Sequence, residues 1–369
     1  MLAEKLLPKS ENKMLISLND IIKEIESKSM TYVIWGAGNT GRETEKYINE
    51  KTNGKISARY IVDNNSSLWS IEGIRSPEYF VNDMSNVDIV LVCVYVADQI
   101  VEQLKNIGYF GKTIVVSSSI FSISDDDYRI YEENMPKIEE VYQLLADEQS
   151  RCTLETYLNV MRTGDVALWA SVNGNSRNKL LDDEVLDLSI NHNFVDVGAF
   201  IGDTLEAFLR QTNNTYRSIV CIEPDKRNYS ELNKKIALIQ KEDVYAINAA
   251  VGEKTGTIRF AGEKSESCHV SDDVGEEIKM IALDDLNAAN EASLLKVSTN
   301  GFDLKALKGA ERTIVKNKPQ IATYASGSQM WTIPMYLWSI VPEYDIYMRH
   351  YGVGRQALIC YAKRKGSES

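Results

Sequence analysis

Two short stretches set the limits on how this chain can fold. An apolar run breaks into a glycine turn and then a helix-forming segment at "YVIWGAGNTGRE" (32–43), and again about 160 residues later at "FVDVGAFIGDT" (194–204). A buried strand that turns through glycines into a helix opens a parallel βαβ unit, because the tight turn needs backbone conformations that glycine adopts without a Cβ penalty. The chain has 369 residues, beyond the ~100–200 of one domain. Two openings in a chain of this length predict an α/β protein with two doubly wound domains.

The segments around each opening agree with this reading. Residues 15–28 carry apolar side chains at helical spacing and predict an entry helix. "SARYIVDNN", "VDIVLVCVY" and "KTIVVSS" then read as further strands, separated by helical segments, so the first sheet is expected to hold about four parallel strands and to close near residue 122. Residues 123–185 open on an acidic run and read mostly as helix, ending in the polar stretch "SVNGNSRNK". They are expected to form a helical connector with a mobile loop. The second domain is expected over 186–369; from 192 the strand pattern restarts, and the runs from "NFVDVG" to "QALICYAKR", including "TIRFAG" and "IKMIAL", predict one mostly parallel sheet ending in an antiparallel hairpin.

Composition excludes several functions. The formal charge is −12, and a nucleic-acid binder needs a positive surface to displace counterions from phosphates. Runs such as "KRNYSELNKK" place lysines at helical spacing and read as solvated faces. The N-terminus lacks the apolar core of a signal peptide, and no stretch approaches the ~18–20 apolar residues that span a bilayer, so a soluble cytoplasmic protein is expected. Five scattered cysteines, Cys268 among them, show no CxxC pair, and His269 has no ligand partner at metal spacing, so no metal site is expected.

In the first turn, Gly36, Gly38 and Gly41 follow a strand and precede a helix, and Asp63 ends the next strand 22 residues beyond Gly41. Glycines let a backbone approach a phosphate at a helix N-terminus, and a strand-end acid can accept ribose hydroxyls. Gly36, Gly38, Asn39, Thr40, Gly41 and Asp63 are therefore expected to hold a nucleotide or nucleotide-sugar, since the small sheet suits a mononucleotide better than a dinucleotide. A ligand-free turn fits the same residues, because fold alone does not establish function. An NAD-dependent oxidoreductase is disfavoured, as no Tyr-x-x-x-Lys relay lies nearby.

The second turn differs by an acid, Asp196, placed before the first glycine, and Glu223 closes the next strand in "IVCIEPD". That pair is the usual arrangement for S-adenosylmethionine in a doubly wound methyltransferase. Gly198 and Gly202 keep the backbone close to the ligand and Glu223 holds the ribose hydroxyls. The wider expected cofactor set adds Ala199, Phe200, Asp203 and Thr204 from the turn, Pro224 after Glu223, and Asn248 and Ala249 after the third strand.

The stretches "FVDVGAFIGDTLEAFL", "CIEPDKRNYSELNKKI", "NAAVGEKTGTIRF", "IALDDL", "LKALKGAERTIVKNKPQIA", "MWTIPMYL" and "YDIYMRHY" follow one another in an order that resembles the FkbM-type S-adenosylmethionine-dependent methyltransferases. The resemblance covers about 186–363 and implies a class I methyltransferase fold there. It further implies O-methylation of a sugar, nucleotide-sugar or glycan hydroxyl, as in surface-polysaccharide biosynthesis. The preceding "WGAGNTGRE…YIVDNN" domain looks like a Rossmann-like domain that accompanies this methyltransferase type.

The chain also departs from the family pattern. Where relatives read like "IKIDVEG", this sequence has "LLKVSTNG", with Ser298 in place of Asp and Asn300 in place of Glu. Tyr324 is kept, but Ala325 replaces the histidine that usually follows it. A hydroxyl is a poor nucleophile until a base takes its proton. The remaining groups are Tyr324, Asp303, the Asp284/Asp285 pair, and His350 with Arg349, which matches the family's "LRHY" pattern and makes His350 the preferred base. His192 opens a strand and carries no motif. Two functions stay open: a methyltransferase with a relocated base, or a catalytically impaired relative that binds cofactor or nucleotide-sugar as an assembly or regulatory subunit. The sequence leaves homo-oligomer formation open.

Overall fold

The computed structural model describes residues 2–8, 18–94, 97–116, 125–163, 165–174, 179–240, 243–261, 269–270, 276–351 and 358–366. Cys268 and residues 175–178 of the expected mobile loop lie outside this set. The chain divides into two compact units. The first comprises Met1–Glu139, Arg151–Asn173 and His350–Ala357, and the second Glu140–Ser150, Gly174–Arg349 and Leu358–Ser369.

The first unit holds a parallel sheet of β1 (Tyr32–Trp35), β2 (Ile61–Val62), β3 (Ile74–Arg75), β4 (Ile89–Val92) and β5 (Lys112–Val115), in the order β3-β2-β1-β4-β5. Every residue of β1 and β4 is buried, as expected of strands covered by helices on both faces. The helix Asn39–Lys51 turns Gly41, Thr44 and Ile48 inward at i, i+3 and i+7. Ile34, Ile48, Ile89, Leu91 and Ile114 join Ile21 and Ile25 of the entry helix Leu18–Lys28 in one core. The sheet has five strands where the apolar runs predict about four. β3 was hidden because it is two residues long and contains Arg75, too short to carry a periodic signal.

Helices Asp125–Glu133, Met135–Leu144 and Glu148–Thr163 fill the stretch between the two sheets in sequence. The remaining strands are β6 (Asn193–Val197), β7 (Ser218–Ile222), β8 (Val244–Ile247), β9 (Ala250–Val251), β10 (Gly256–Ala261), β11 (His269–Val270), β12 (Glu276–Ile281), β13 (Leu294–Val297), β14 (Gln320–Tyr324), β15 (Tyr344–His350) and β16 (Leu358–Arg364). Seven of them form a sheet in the order β15-β16-β14-β13-β6-β7-β8. β8, β7, β6, β13 and β14 are mutually parallel, and β16 runs antiparallel to β14.

The runs "TIRFAG" and "IKMIAL" do not join that sheet. They form β10 and β12 of a separate four-stranded sheet, β11-β10-β12-β9. Their residues explain why. Along β12, Glu277 and Lys279 are exposed while Ile278 and Met280 are half-buried, the alternation of an antiparallel strand with one wet face. The strands of the main sheet, such as β6 and β13, are buried throughout.

Candidate functional site

The seven-stranded sheet reverses its winding at β6. The chain moves outward through β7 and β8, then returns to pair β13 on the other side of β6. Ligands of open α/β sheets bind at the carboxyl ends of the strands beside such a switch point. The residues that leave β6 there are 198–202. Gly198 (φ +72°), Phe200 (φ +49°) and Gly202 (φ +85°) all take left-handed backbone. Gly198 cannot be replaced without movement, because a Cβ at this position would fall within the shell of Ser298 O on the neighbouring strand end. The turn leads into helix Asp203–Gln211, where Asp203 is exposed and Thr204 is buried.

Glu223, just past β7, faces this turn. Its Oε2 accepts the Phe200 N–H at 2.8 Å and its Oε1 the Asp225 N–H at 3.0 Å. Burial pushes the Glu223 carboxyl above its ordinary range, against the opposing effect of those two backbone donors. The Asn228 side chain is a further donor to it, and since a carboxylate offers about four lone-pair sites, capacity for a hydroxyl remains. Asn248 ties the next strand end to the same point, its Nδ2 donating to Glu223 O at 2.9 Å and to Pro224 O at 3.0 Å. Ala249 is buried beside it in sequence. The structure thus brings the second glycine turn, Glu223, Pro224 and Asn248 into one linked arrangement.

Asp196 does not face outward with them. It is 0% exposed and opposes Lys296, 2% exposed, directly across the β6–β13 pairing. Lys296 Nζ lies 2.8 Å from Asp196 Oδ1 and directs hydrogen bonds to Gly198 O at 2.7 Å and Val197 O at 3.3 Å. Burial raises the Asp196 pKa, and the Lys296 charge opposes that rise. Sequence reasoning passed over Lys296. Half of the signal was present, a lone cation inside the apolar run "LLKV"; its partner emerges only from the β6–β13 register.

Beyond β13 the chain turns through Asn300 (φ +49°) and Gly301 (φ +99°). Asp303 holds this turn, accepting the Thr299 N–H at 2.9 Å and the Gly301 N–H at 3.1 Å. It is buried, and that burial raises its pKa despite the backbone donors. Ser298 follows Val197's partner in the register, while Tyr324 ends the adjacent strand β14 with the Lys179 ammonium 5.0 Å from its ring centroid. Ala325 is fully buried. The rim formed by Ser298, Asn300 and Ala325 carries no ionisable side chain at those three positions.

The other candidates are engaged elsewhere. Asp284 accepts the N–H groups of Arg312 and Thr313, both at 2.8 Å, at the start of helix Glu311–Asn317. Asp285 accepts Thr255 Oγ1 at 2.7 Å. His192 is buried between Ser293 Oγ and Asp187 O, which lie 3.0 and 2.7 Å from its ring nitrogens, and burial lowers its pKa. Arg349 makes a two-pronged contact with Asp147, at 3.2 and 2.6 Å, and donates to Ser150 Oγ at 2.8 Å. His350, the base preferred from sequence, is 0% exposed. It lies in the first compact unit, stacked on Trp169 with ring centroids 3.4 Å apart, and its Nδ1 is 2.8 Å from Asn173 Oδ1. A fully buried, stacked imidazole cannot take a proton directly from an acceptor in solvent, so this geometry does not support the base expected from the "RHY" pattern.

The first glycine turn has a related arrangement. Gly36 takes φ +118°, and a Cβ at Gly41 would collide with Gly36 O. Asp63 Oδ2 accepts the Ala37 N–H at 2.8 Å, and its Oδ1 the Asn65 N–H at 2.8 Å. Gly38 caps helix Asn39–Lys51 without a side-chain bond, while Asn39 and Thr40 begin that helix. Among the described residues, no group of three or more His, Cys, Asp or Glu could hold a metal ion, and no helix is long and apolar enough to cross a membrane.

Comparison with known proteins bears on this geometry. Residues 196–352 match the family profile described as Methyltransferase FkbM domain. None of the curated proteins matches the chain significantly in sequence. Among solved structures, methyltransferase FkbM from Methylobacillus flagellatus KT is similar with a TM-score of 0.66 and 19% identity, over 95% of this chain and 94% of that one. At this identity the likeness establishes the fold. Precorrin-6y C5,15-methyltransferase from Geobacter metallireducens GS-15 scores 0.32 at 14% identity, over 52% of this chain and 94% of that one. A SAM-dependent methyltransferase from Aquifex aeolicus scores 0.30 at 13% identity, over 54% and 97%. Scores this low carry no argument.

Proposed function

We propose, from the match of residues 196–352 to the FkbM methyltransferase domain family, that the chain binds S-adenosylmethionine and methylates a hydroxyl of a sugar, nucleotide-sugar or glycan in the cytoplasm. The observation that carries the cofactor reading is Glu223. It is 6% exposed at the switch point, bonded to the Phe200 N–H of the glycine turn, with lone-pair capacity left for a ribose hydroxyl. Gly198, Ala199, Phe200 and Gly202 supply close backbone, Asp203 and Thr204 the helix start, and Pro224, Asn248 and Ala249 the flank. The cofactor, when bound, supplies an electrophilic methyl group.

This chain's own residues then have two tasks, to orient an acceptor hydroxyl and to take its proton. Tyr324 and the hydroxyl and amide of Ser298 and Asn300 can orient. None of these is a base matched to neutral pH. His350 and Arg349 fit a supporting role, one packed on Trp169 and the other held by Asp147. The same absence at 298, 300 and 325 favours a second reading, in which cofactor binding is retained and turnover is slow, as in an assembly or regulatory subunit. For the first unit we propose a nucleotide or nucleotide-sugar at Gly36–Gly41, with Asp63 toward the ribose.

Calorimetry with S-adenosylmethionine and its demethylated product tests the first step. Wild type should bind, and Glu223→Ala should bind at least about tenfold more weakly, the loss of a hydrogen bond to a charged group, ~1.5–3 kcal/mol. A sugar and nucleotide-sugar panel, assayed for methyl transfer, separates the active from the impaired reading. Absence of binding by wild type would end both.

A further inference from the structure

The buried Lys296 ammonium donates to two carbonyls of the backbone that starts the second glycine turn, Gly198 O at 2.7 Å and Val197 O at 3.3 Å. Asp196 Oδ1, 2.8 Å from the ammonium, supplies the compensating charge as an ion pair, while neither Asp196 oxygen has a partner of hydrogen-bond geometry. The neighbouring bonds fix the same peptides from other sides. Gly198 and Ala199 N–H both reach Ile222 O, Ser298 N–H reaches Val197 O, and the Gly198 backbone abuts Ser298 O. Without the ammonium, the Gly198 carbonyl would lose its nearest side-chain donor at the point where the backbone enters left-handed φ.

The first unit provides an internal reference. There the equivalent positions across the central strand pair are Ile34 and Leu91, in direct register between β1 and β4. Both are buried and apolar. A parallel α/β sheet can therefore support a glycine turn without an ion pair beneath it. A buried ion pair is moreover weak evidence of stability, because apolar residues of similar size often replace one at no cost. Its retention in the second sheet calls for a role other than folding.

We infer that Lys296 is a positioning residue for the second glycine turn: it fixes the Val197 and Gly198 carbonyls from below, so that the turn is held in the shape its ligand meets, with Asp196 serving as its buried counter-ion. The affinity arm of this inference rests on the proposed S-adenosylmethionine reading; the backbone arm does not. Removing Lys296 alone would strand the Asp196 charge and endanger folding. The test is therefore the paired variant Asp196→Ile with Lys296→Leu, which installs the first unit's own residues at both positions. A second variant, Asp196→Asn, leaves the Lys296 amine its two carbonyls but strips it of its counter-ion, so its melting temperature is read alongside.

Hydrogen exchange of the ligand-free protein reads the turn directly. In the paired variant, amides of 198–202 should exchange at least about tenfold faster while those of β13 and β14 stay protected, local opening without global unfolding. Affinity for S-adenosylhomocysteine should fall by at least about tenfold, as expected when a preorganised site is loosened. In Asp196→Asn, with the melting temperature showing the fold intact, both should stay within about threefold of wild type, because the two carbonyl hydrogen bonds of the amine remain. Unchanged exchange in the paired variant would overturn the inference, as would an equal effect of Asp196→Asn, which would assign the turn's shape to the carboxylate. If wild type binds no S-adenosylhomocysteine yet the exchange responds as expected, the positioning role stands and the cofactor reading fails.

Discussion

The two glycine turns of this chain resemble each other above the sheet and differ beneath it. Each leaves a fully buried central strand, and each is latched by an acid from the next strand end through one backbone N–H: Asp63 to Ala37, Glu223 to Phe200. Below, the first turn rests on Ile34 and Leu91, the second on Asp196 and Lys296. The latch is thus common to the architecture, and the ion pair is particular to the second turn. The difference teaches that sequence spacing of glycines and an acid identifies a βα turn with a capacity for phosphate or ribose. What distinguishes one turn from another lies in the residues that support it.

A third layer of the comparison is the rim around the second turn. The side proposed for the cofactor carries the glycine turn and its Glu223 latch, while Ser298, Asn300 and Ala325 offer no ionisable group for proton transfer. The largest expected effect breaks this asymmetry. Ser298→Asp, Asn300→Glu and Ala325→His together should raise methyl transfer to a sugar hydroxyl by about 10²–10⁴-fold, the usual contribution of a positioned acid–base group. Asn300 sits at φ +49°, where a longer side chain costs about 1 kcal/mol, and Ala325 is fully buried, so a histidine there must displace its neighbours to reach an acceptor; the variant's melting temperature is therefore measured alongside. Brisk turnover by the unmodified protein would show that the rim needs none of these groups.

How far the sequence carried this picture follows from the range of each signal. The strand–glycine–helix openings, the two-domain α/β class and the order of the methyltransferase strands were legible, because they rest on local apolar runs and turn residues. β3, at two residues, was too short to register, and β10 and β12 were assigned to the wrong sheet because period alone does not say which sheet a strand joins. The pairing of Asp196 with Lys296, 100 residues apart, was invisible until the register of β6 and β13 was known. The surroundings of His350 were hidden for a related reason. Its motif neighbours are sequential, while its burial against Trp169 and Asn173 is set by segments far away in the chain.

A pH titration sharpens the role of the Glu223 latch. Burial raises the Glu223 pKa, and only the ionised carboxylate is a full acceptor for ribose hydroxyls. The folded pKa lies above the unfolded one, so the stability linked to its protonated form is present below the unfolded pKa and is lost as pH rises through the folded value. Ligand affinity runs the other way. S-adenosylhomocysteine should bind more tightly as pH rises through the folded pKa, by about tenfold per pH unit below it and with no further change above. Glu223→Gln should flatten this profile. A wild-type profile flat down to the acid unfolding limit would remove the carboxylate's charge from recognition.

The smallest effect concerns Gly38, and it separates a ligand-bearing first turn from a bare one. Gly38 is exposed, has φ −72°, and a Cβ added there would meet nothing within 4 Å. It also caps helix Asn39–Lys51 with no side-chain bond to lose. Gly38→Ala removes unfolded-state freedom worth ~0.4–1 kcal/mol, and alanine is a poorer N-cap than glycine by a similar amount. The two changes oppose each other, so the melting temperature should move by less than about 2 °C, as expected for a net change within ~0.5 kcal/mol. Contrast this with Gly41, where the added Cβ would collide with Gly36 O and the turn itself would have to move. Because Gly38→Ala leaves the fold intact, any loss of nucleotide-induced thermal stabilisation can be read as a lost backbone approach to a phosphate. Uridine and cytidine nucleotides should raise the wild-type melting temperature and raise that of Gly38→Ala less. If NAD stabilises the wild type and those nucleotides do not, the mononucleotide preference is wrong; if no nucleotide stabilises either protein, the first turn is a structural βα turn and the likeness between the two latches is one of folding alone.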